Sequence, residues 1–192
     1  NRLAAYDGVR MLIAHGHRRI LMLAGTLAAS DRARMRHAGY AQAMQQAGLQ
    51  PAPALEIDFN ADELAPSVLA HLTSGPTRPT ALFCSNDLLA MVVMRGLRRA
   101  QFDMPRDMSS LGFDGLAVGD LLSPPLASIG APNREIGCAA WRRLTGRIEG
   151  TYESDASLSL TLPHTLRAGA TIAAIASDGG VARARELPQA GR

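Results

Sequence analysis

Lysine is absent from the 192-residue chain: all twenty basic residues are arginine, against seventeen Asp and Glu, for a formal net charge of +3. The arginines are scattered, and aromatic residues make up only 4% of the sequence. A basic stripe interleaved with stacking aromatics, the pattern that grips nucleic acid, is therefore missing, and the pI near 9.4 does not point to DNA contact by this chain. Arginine without lysine in an alanine-rich chain reads as codon bias. The only cysteines, Cys84 and Cys138, have neither a CxxC partner nor a nearby histidine at ligand spacing. That argues against a zinc site and a disulfide framework, and fits a reducing compartment. No apolar run approaches the roughly 18 residues that cross a bilayer, which argues against a membrane role. The GxSxG, HExxH, GxxxxGK[ST] and GxGxxG patterns are all lacking, and no nucleophile is evident.

What is present suits a soluble globular chain: 47% apolar and 19% charged residues, with mean hydropathy +0.01. The length accommodates one domain, or one domain and part of a second. The chain starts at Asn1 and enters a helical pattern at once, which reads as a fragment of a longer protein, with any signal peptide or upstream domain outside it.

Helical and strand patterns alternate along most of the chain. Ala5, Val9, Leu12 and Ile13 mark a helix over Leu3 to His15, stopped by Gly16. The run Ile20 to Ala24 reads as a strand covered on both faces. After the polar loop Thr26 to Asp31, a helix carries Tyr40, Ala43, Met44 and Ala47 on one side and ends at Gly48. Leu55 to Phe59, Thr80 to Cys84 and Met108 to Phe113 are further strands, with helices marked by Ala65, Val68, Leu69, Leu72 and by Ala90, Val93, Met94, Leu97 between them. This alternation predicts an α/β fold built from βαβ units, a parallel sheet with helices on both faces. It breaks at Gly115 to Pro125, a long connection. Beyond it the pattern predicts a helix over about Asn133 to Ile148 with Ile136, Ala140 and Leu144 inward, a strand at Ser157 to Leu162, and a mobile tail from residue 176.

Ligands of an open parallel sheet bind beyond the carboxyl ends of its strands. That rule selects the loop Gly25 to Arg36, Asp58-Phe59, Ser85-Asn86-Asp87 and Phe113-Asp114-Gly115. Together they offer a guanidinium (Arg36, or Arg32 or Arg34), an aromatic plane (Phe59), an amide (Asn86) and carboxylates (Asp87, Asp114). Guanidinium and carboxylate forks grip vicinal hydroxyls or a carboxylate, and an aromatic plane stacks on a sugar or base, so the set favours binding over catalysis. Asn86 or Asp87 caps the following helix, and Asp87 reads first as such an N-cap and second as a ligand contact. Phe59 fits core and pocket equally well. His15 and His17 flank a helix stop, where a cation suits the dipole better than a metal suits the pair.

Several segments resemble the LacI/GalR family of bacterial transcription repressors: Asn1-Arg2, Gly16-His17-Arg18-Arg19-Ile20, Arg36-His37-Ala38-Gly39-Tyr40, Pro79-Thr80-Ala81 with Ser85-Asn86-Asp87, Pro105-Arg106-Asp107-Met108-Ser109, Gly112-Phe113-Asp114, and Pro124-Pro125-Leu126 with Ile129. The order and spacing match from Asn1 to about Thr171. The resemblance implies the sugar-sensing core of such a regulator, a two-lobed fold similar to periplasmic sugar-binding proteins. It assigns residues 1–127 to the C-terminal lobe, 128–162 to the other lobe and 163–175 to a return, and it places the DNA-binding domain, the hinge helix and most of the first lobe outside this chain.

By the same resemblance Arg36, Phe59, Asn86 and Asp114 contact the effector, a sugar or related metabolite, with no cofactor. Operator DNA is bound through the absent domain, in a cytoplasmic homodimer whose apolar contact includes Met91, Val92 and Leu121. Two positions depart from the family pattern: Ala131 replaces a polar residue, and Arg167-Ala168-Gly169 replaces Arg-x-Ser. Two other readings stay open at this point, an exported sugar-binding protein of a transporter and a small α/β enzyme using Asp114 or Asp87 as base.

Overall fold

A computed structural model of the chain describes residues 1–58, 63–151 and 160–175. Its helices are α1 (Arg2–Ala14), α2 (Asp31–Gln46), α3 (Pro66–Thr73), α4 (Asp87–Arg99) and α5 (Asn133–Ile148). Its strands are β1 (Ile20–Ala24), β2 (Leu55–Glu56), β3 (Ala81–Cys84), β4 (Ser109–Asp114), β5 (Ala127–Gly130) and β6 (Thr165–Arg167). They form one six-stranded sheet in the order β2-β1-β3-β4-β5-β6. Every pairing is parallel except β5 with β6. This is the α/β architecture the alternation predicts, with the apolar strands at its centre.

Period-two alternation sorts the strand side chains onto two layers. Ile20, Met22, Phe83, Leu111 and Ile129 pack with Ala5, Val9 and Leu12 of α1 and Tyr40 and Met44 of α2. Leu21, Leu23, Leu82 and Cys84 pack on the opposite face with Leu72 of α3 and Leu89, Val93 and Leu97 of α4. Burial on both sides is why these strands read as continuous apolar runs. It also pushes the Cys84 thiol up to about 12, so this cysteine is an inert core residue. Gly16 takes φ +90 directly after α1, the left-handed stop expected of it.

Four expectations change. After the connection, which runs over residues 115–126, stands a strand the pattern did not mark: β5 pairs with β4 through Gly130 and so carries this sheet past residue 127. Helix α5 has the expected bounds, but Ile136, Ala140 and Leu144 are exposed rather than inward, as are Trp141 and Ile148, and only Gly146 is buried. The apolar stripe is present, and nothing among the described residues covers it. Most of the strand expected at 157–162 falls outside the described residues, as does the tail 176–192, and residues 160–162 are not in a strand.

The fourth change concerns His17, which is no cation at a helix end. It is buried, with Nδ1 3.0 Å from Thr80 Oγ1 and Nε2 3.0 Å from Ser109 Oγ and 3.1 Å from the Ala173 carbonyl. A carbonyl only accepts, so Nε2 carries the proton. Burial pushes the imidazole below its ordinary pKa and keeps it neutral.

Candidate functional site

The strand order places β1 between β2 and β3, so the crossovers from β1 to β2 and from β2 to β3 run in opposite directions along the sheet and open a crevice at the carboxyl ends. A cleft of about 1110 Å³ lies there, lined by Gly25, Thr26, Arg32, Arg36, Glu56, Asp58, Ser85, Asn86 and Asp114 among others. Arg36, Asn86 and Asp114, chosen from sequence as ligand contacts, are thus brought to one place. Phe59, the fourth, lies outside the described residues.

Arg36 is presented by α2, whose first turn is capped by Ser30 Oγ accepting from the Ala33 amide at 3.2 Å. Its side chain is only 9% exposed, and Nη2 donates to Asp114 Oδ1 at 3.0 Å. Nη1 donates to the Ser85 carbonyl, Nε donates to Asn1 Oδ1 at 2.9 Å, and Cζ stands 3.7 Å over the Phe113 ring. Burial pulls the guanidinium pKa down and the Asp114 charge opposes this, so it stays protonated. Three of its five N–H groups are used by these bonds, and the remainder can serve a ligand.

Asp114 ends β4 at φ +107, an unusual angle for a residue with a Cβ. Such conformations cost of order 1–3 kcal/mol and persist where surrounding contacts over-determine them. One oxygen takes the Arg36 bond, and the other has no partner among the described residues. Asn86 caps α4 through Oδ1, which accepts from the Leu89 amide at 2.8 Å. Its amide nitrogen is left to donate. A fixed cation, a carboxylate oxygen and an amide donor converging on one cleft suit a small polyhydroxylated ligand.

Asp87 is neither the helix cap nor a cleft residue, contrary to both sequence readings. Asn86 takes the cap, and Asp87 points into the protein with no exposed surface. Its Oδ1 accepts from Ser128 Oγ at 2.6 Å and its Oδ2 from the Leu116 amide at 2.7 Å. Burial lifts its carboxyl above the usual range, and these donors act against that. Ser128 is a neighbour the sequence reading missed, and Arg167, noted there only within a segment that departs from the family pattern, donates from Nη1 to the Gly115 carbonyl at 2.6 Å. Ser128 sits on β5, a strand not expected, and only its pairing with β4 brings it to Asp87. Among the described residues no group of three or more His, Cys, Asp or Glu could hold a metal ion, and no helix is long and apolar enough to cross a membrane.

Residues 9–172 match the family described as the periplasmic binding protein-like domain. The chain belongs to that family, as the effector-binding domain of a LacI-type regulator. Among its relatives, the transcriptional repressor CytR of Escherichia coli K12 is 32% identical over 161 residues, covering 82% of this chain and 46% of that protein. The ribose operon repressor of the same organism is 34% identical over 154 residues, covering 78% and 46%. The crystal structure of the lac repressor dimer bound to operator and the anti-inducer ONPF superposes with TM-score 0.73 at 28% identity, covering 88% of this chain and 59% of that one. The LacI-type domain here therefore spans about half the length of the curated relatives it matches. These named relatives are transcriptional repressors rather than enzymes.

Proposed function

We propose that this chain is the effector-sensing and dimerising part of a LacI-type, DNA-binding transcriptional repressor, and that a sugar or related small metabolite binds its cleft and changes operator affinity. The observation that carries the reading is the Arg36–Asp114 pair at the carboxyl edge of the sheet, with the Asn86 amide beside it. In this reading Arg36 and Asp114 grip ring hydroxyls, Asn86 donates a hydrogen bond, and Phe59 supplies a stacking plane. DNA contact belongs to a domain outside residues 1–192, and the working location is the cytoplasm. Residues 1–127 and 163–175 are assigned to the C-terminal lobe, whose sheet β5 extends to Gly130, and the segment after Gly130 up to residue 162 to the other lobe, where the apolar stripe of α5 would find its cover.

The test is thermal stability against a panel of sugars, nucleobases and sugar phosphates, with D-ribose first because a ribose operon repressor is among the relatives. A ligand at a hundred times its dissociation constant adds about 2.7 kcal/mol to native stability. For a protein of this size that raises the melting temperature by roughly 5–10 °C. A flat panel on folded protein counts against a sugar-like effector.

The pairing surface is assigned to α4 and the short 3₁₀ turn Ala117–Leu121. Support comes from exposure: Leu121 is 85% exposed, and Met91 and Val92 are only half-buried. An apolar centre of this kind suits a two-fold contact. Leu121→Asp should shift the protein from dimer to monomer in sedimentation equilibrium with an unchanged circular dichroism spectrum. A dimer of undiminished affinity would reject this surface.

A further inference from the structure

The turn that follows β4 is held from several sides by residues that do not line the cleft. Asp87 Oδ2 accepts the Leu116 amide at 2.7 Å, and its Oδ1 accepts the Ser128 hydroxyl at 2.6 Å. With its proton committed to Asp87, the Ser128 oxygen accepts the Gly115 amide at 3.1 Å. From the other side Arg167 Nη1 donates to the Gly115 carbonyl at 2.6 Å, and its Nη2 pairs with Asp120 in the Ala117–Leu121 turn. Gly115 itself takes φ +70 and leaves no room for a side chain, since a Cβ would stand 2.6 Å from the Gly130 Cα.

The hydrogen-bonding groups on both sides of the Asp114–Gly115 peptide corner are thus spoken for. Asp114 is the residue forced to a positive φ, and nothing in its own side chain enforces that angle: its one described bond, to Arg36, orients the carboxylate but does not set the backbone. What holds the backbone there is its pairing with Gly130, the Asp114 carbonyl accepting the Ala131 amide at 3.4 Å, and the anchoring of the next two amides by Ser128 and Asp87. A carboxylate buried to zero exposure is a costly way to anchor two groups. Its neighbours are shaped to admit it, for Gly112 faces Asp87 so closely that any Cβ there would overlap the carboxylate.

We propose that Asp87 and Ser128 are positioning residues for the cleft: they lock the Asp114 corner so that its carboxylate meets Arg36, and they tie that corner to the start of the Ala117–Leu121 turn. Asp87 follows Asn86 directly, so the same first turn of α4 carries a cleft amide on one side and this clamp on the other. Loss of the clamp lets Asp114 relax to an ordinary negative φ, which swings its carboxylate off the guanidinium. Cleft and turn consequently respond as one unit. This rests on the reading of Asp114 as an effector contact.

The experiment compares Ser128→Ala, which removes one hydroxyl, and Gly112→Ala, which displaces the Asp87 carboxylate without deleting it, with the core control Leu72→Val. Amide hydrogen exchange is followed at Gly115, Leu116 and residues 117–121, and D-ribose affinity is measured by titration calorimetry. In Ser128→Ala and Gly112→Ala, exchange at Gly115 and Leu116 should rise at least tenfold, and the D-ribose dissociation constant should rise tenfold or more. Leu72→Val should lower the melting temperature and leave the affinity unchanged. Native-like exchange at Gly115 and Leu116 in Ser128→Ala overturns the clamp. Faster exchange with unchanged affinity overturns its positioning role. If the native protein binds no D-ribose, that sugar is excluded as effector, and the clamp stands or falls on the exchange data alone.

Discussion

Arg36→Ala is expected to remove the effector response and to weaken the fold at the same time. Its guanidinium is buried against the Phe113 ring and donates to Asp114, the Ser85 carbonyl and Asn1. A hydrogen bond to a charged group contributes about 1.5–3 kcal/mol, so loss of one direct ligand contact alone predicts a roughly tenfold to 150-fold weaker complex. The Asp114 carboxylate also loses its only described partner. Breaking a fully buried pair costs about 3–5 kcal/mol. Here the Asp114 side chain is 31% exposed and water can reach it, which lowers the expected destabilisation to about 2–3 kcal/mol.

Asp114→Ala separates the two effects. It removes the second ligand-facing group while Arg36 keeps the Ser85 carbonyl and Asn1, so affinity should fall as far with a smaller drop in melting temperature. Arg36→Lys should not rescue binding, because a single ammonium cannot hold three acceptors in the geometry of a planar fork. Titration with the effector, read beside thermal melts, checks all three. An unchanged effector response in both Arg36→Ala and Asp114→Ala would sink the site assignment.

Gly39→Ala should be among the most damaging small substitutions at the described residues. Helices α1 and α2 cross at this point, and a Cβ on Gly39 would overlap the Arg2 carbonyl, stand 2.9 Å from the Tyr6 amide and touch Ala5 Cβ at 3.0 Å. Two of these obstacles are backbone, which cannot swing aside as a side-chain tip would. The helices must separate, and the layer holding Ala5, Tyr40 and Met44 over the sheet must open with them. Overpacking of this sort costs about 1–3 kcal/mol, with the upper end expected where backbone is the obstacle. A fall in melting temperature of roughly 6–12 °C follows for a chain of this size. Gly48→Ala offers a contrast, since nothing stands within 4 Å of a Cβ there and its cost is set by φ +71 alone. Melts of the two variants side by side test the crossing, and an equal, small shift in both would refute it.

The layering was legible because the residues that make it are local. Runs such as Ile20–Ala24 and Ala81–Cys84 are apolar at every position, and a strand reads that way only when both faces are covered. Helix stops at Gly16 and Gly48 need only the glycine. Arg36, Asn86 and Asp114 could be picked from sequence because the carboxyl-edge rule converts strand ends into a place before any contact is known. The exposed face of α5 is not legible in the sequence for the complementary reason. Periodicity at Ile136, Ala140 and Leu144 reports that a helix has an apolar stripe, but not whether this chain contains the surface that covers it.

Asp87 draws the line between the two kinds of information. In sequence it stands where a carboxylate would cap the next helix, and local propensity could say no more. Its true partners are Ser128, forty-one residues away, and the Leu116 amide, twenty-nine away, and neither spacing carries a signal. The same holds for His17, which reaches Thr80, Ser109 and Ala173 across the amino edge of the sheet. Period, composition and turn residues are written in neighbouring positions, so the α/β layers and the edge that holds the cleft follow from the chain alone. Which buried polar groups satisfy each other depends on strand order and register. A hydrogen bond requires atoms within about 3 Å, a coincidence that exists only once the sheet has assembled.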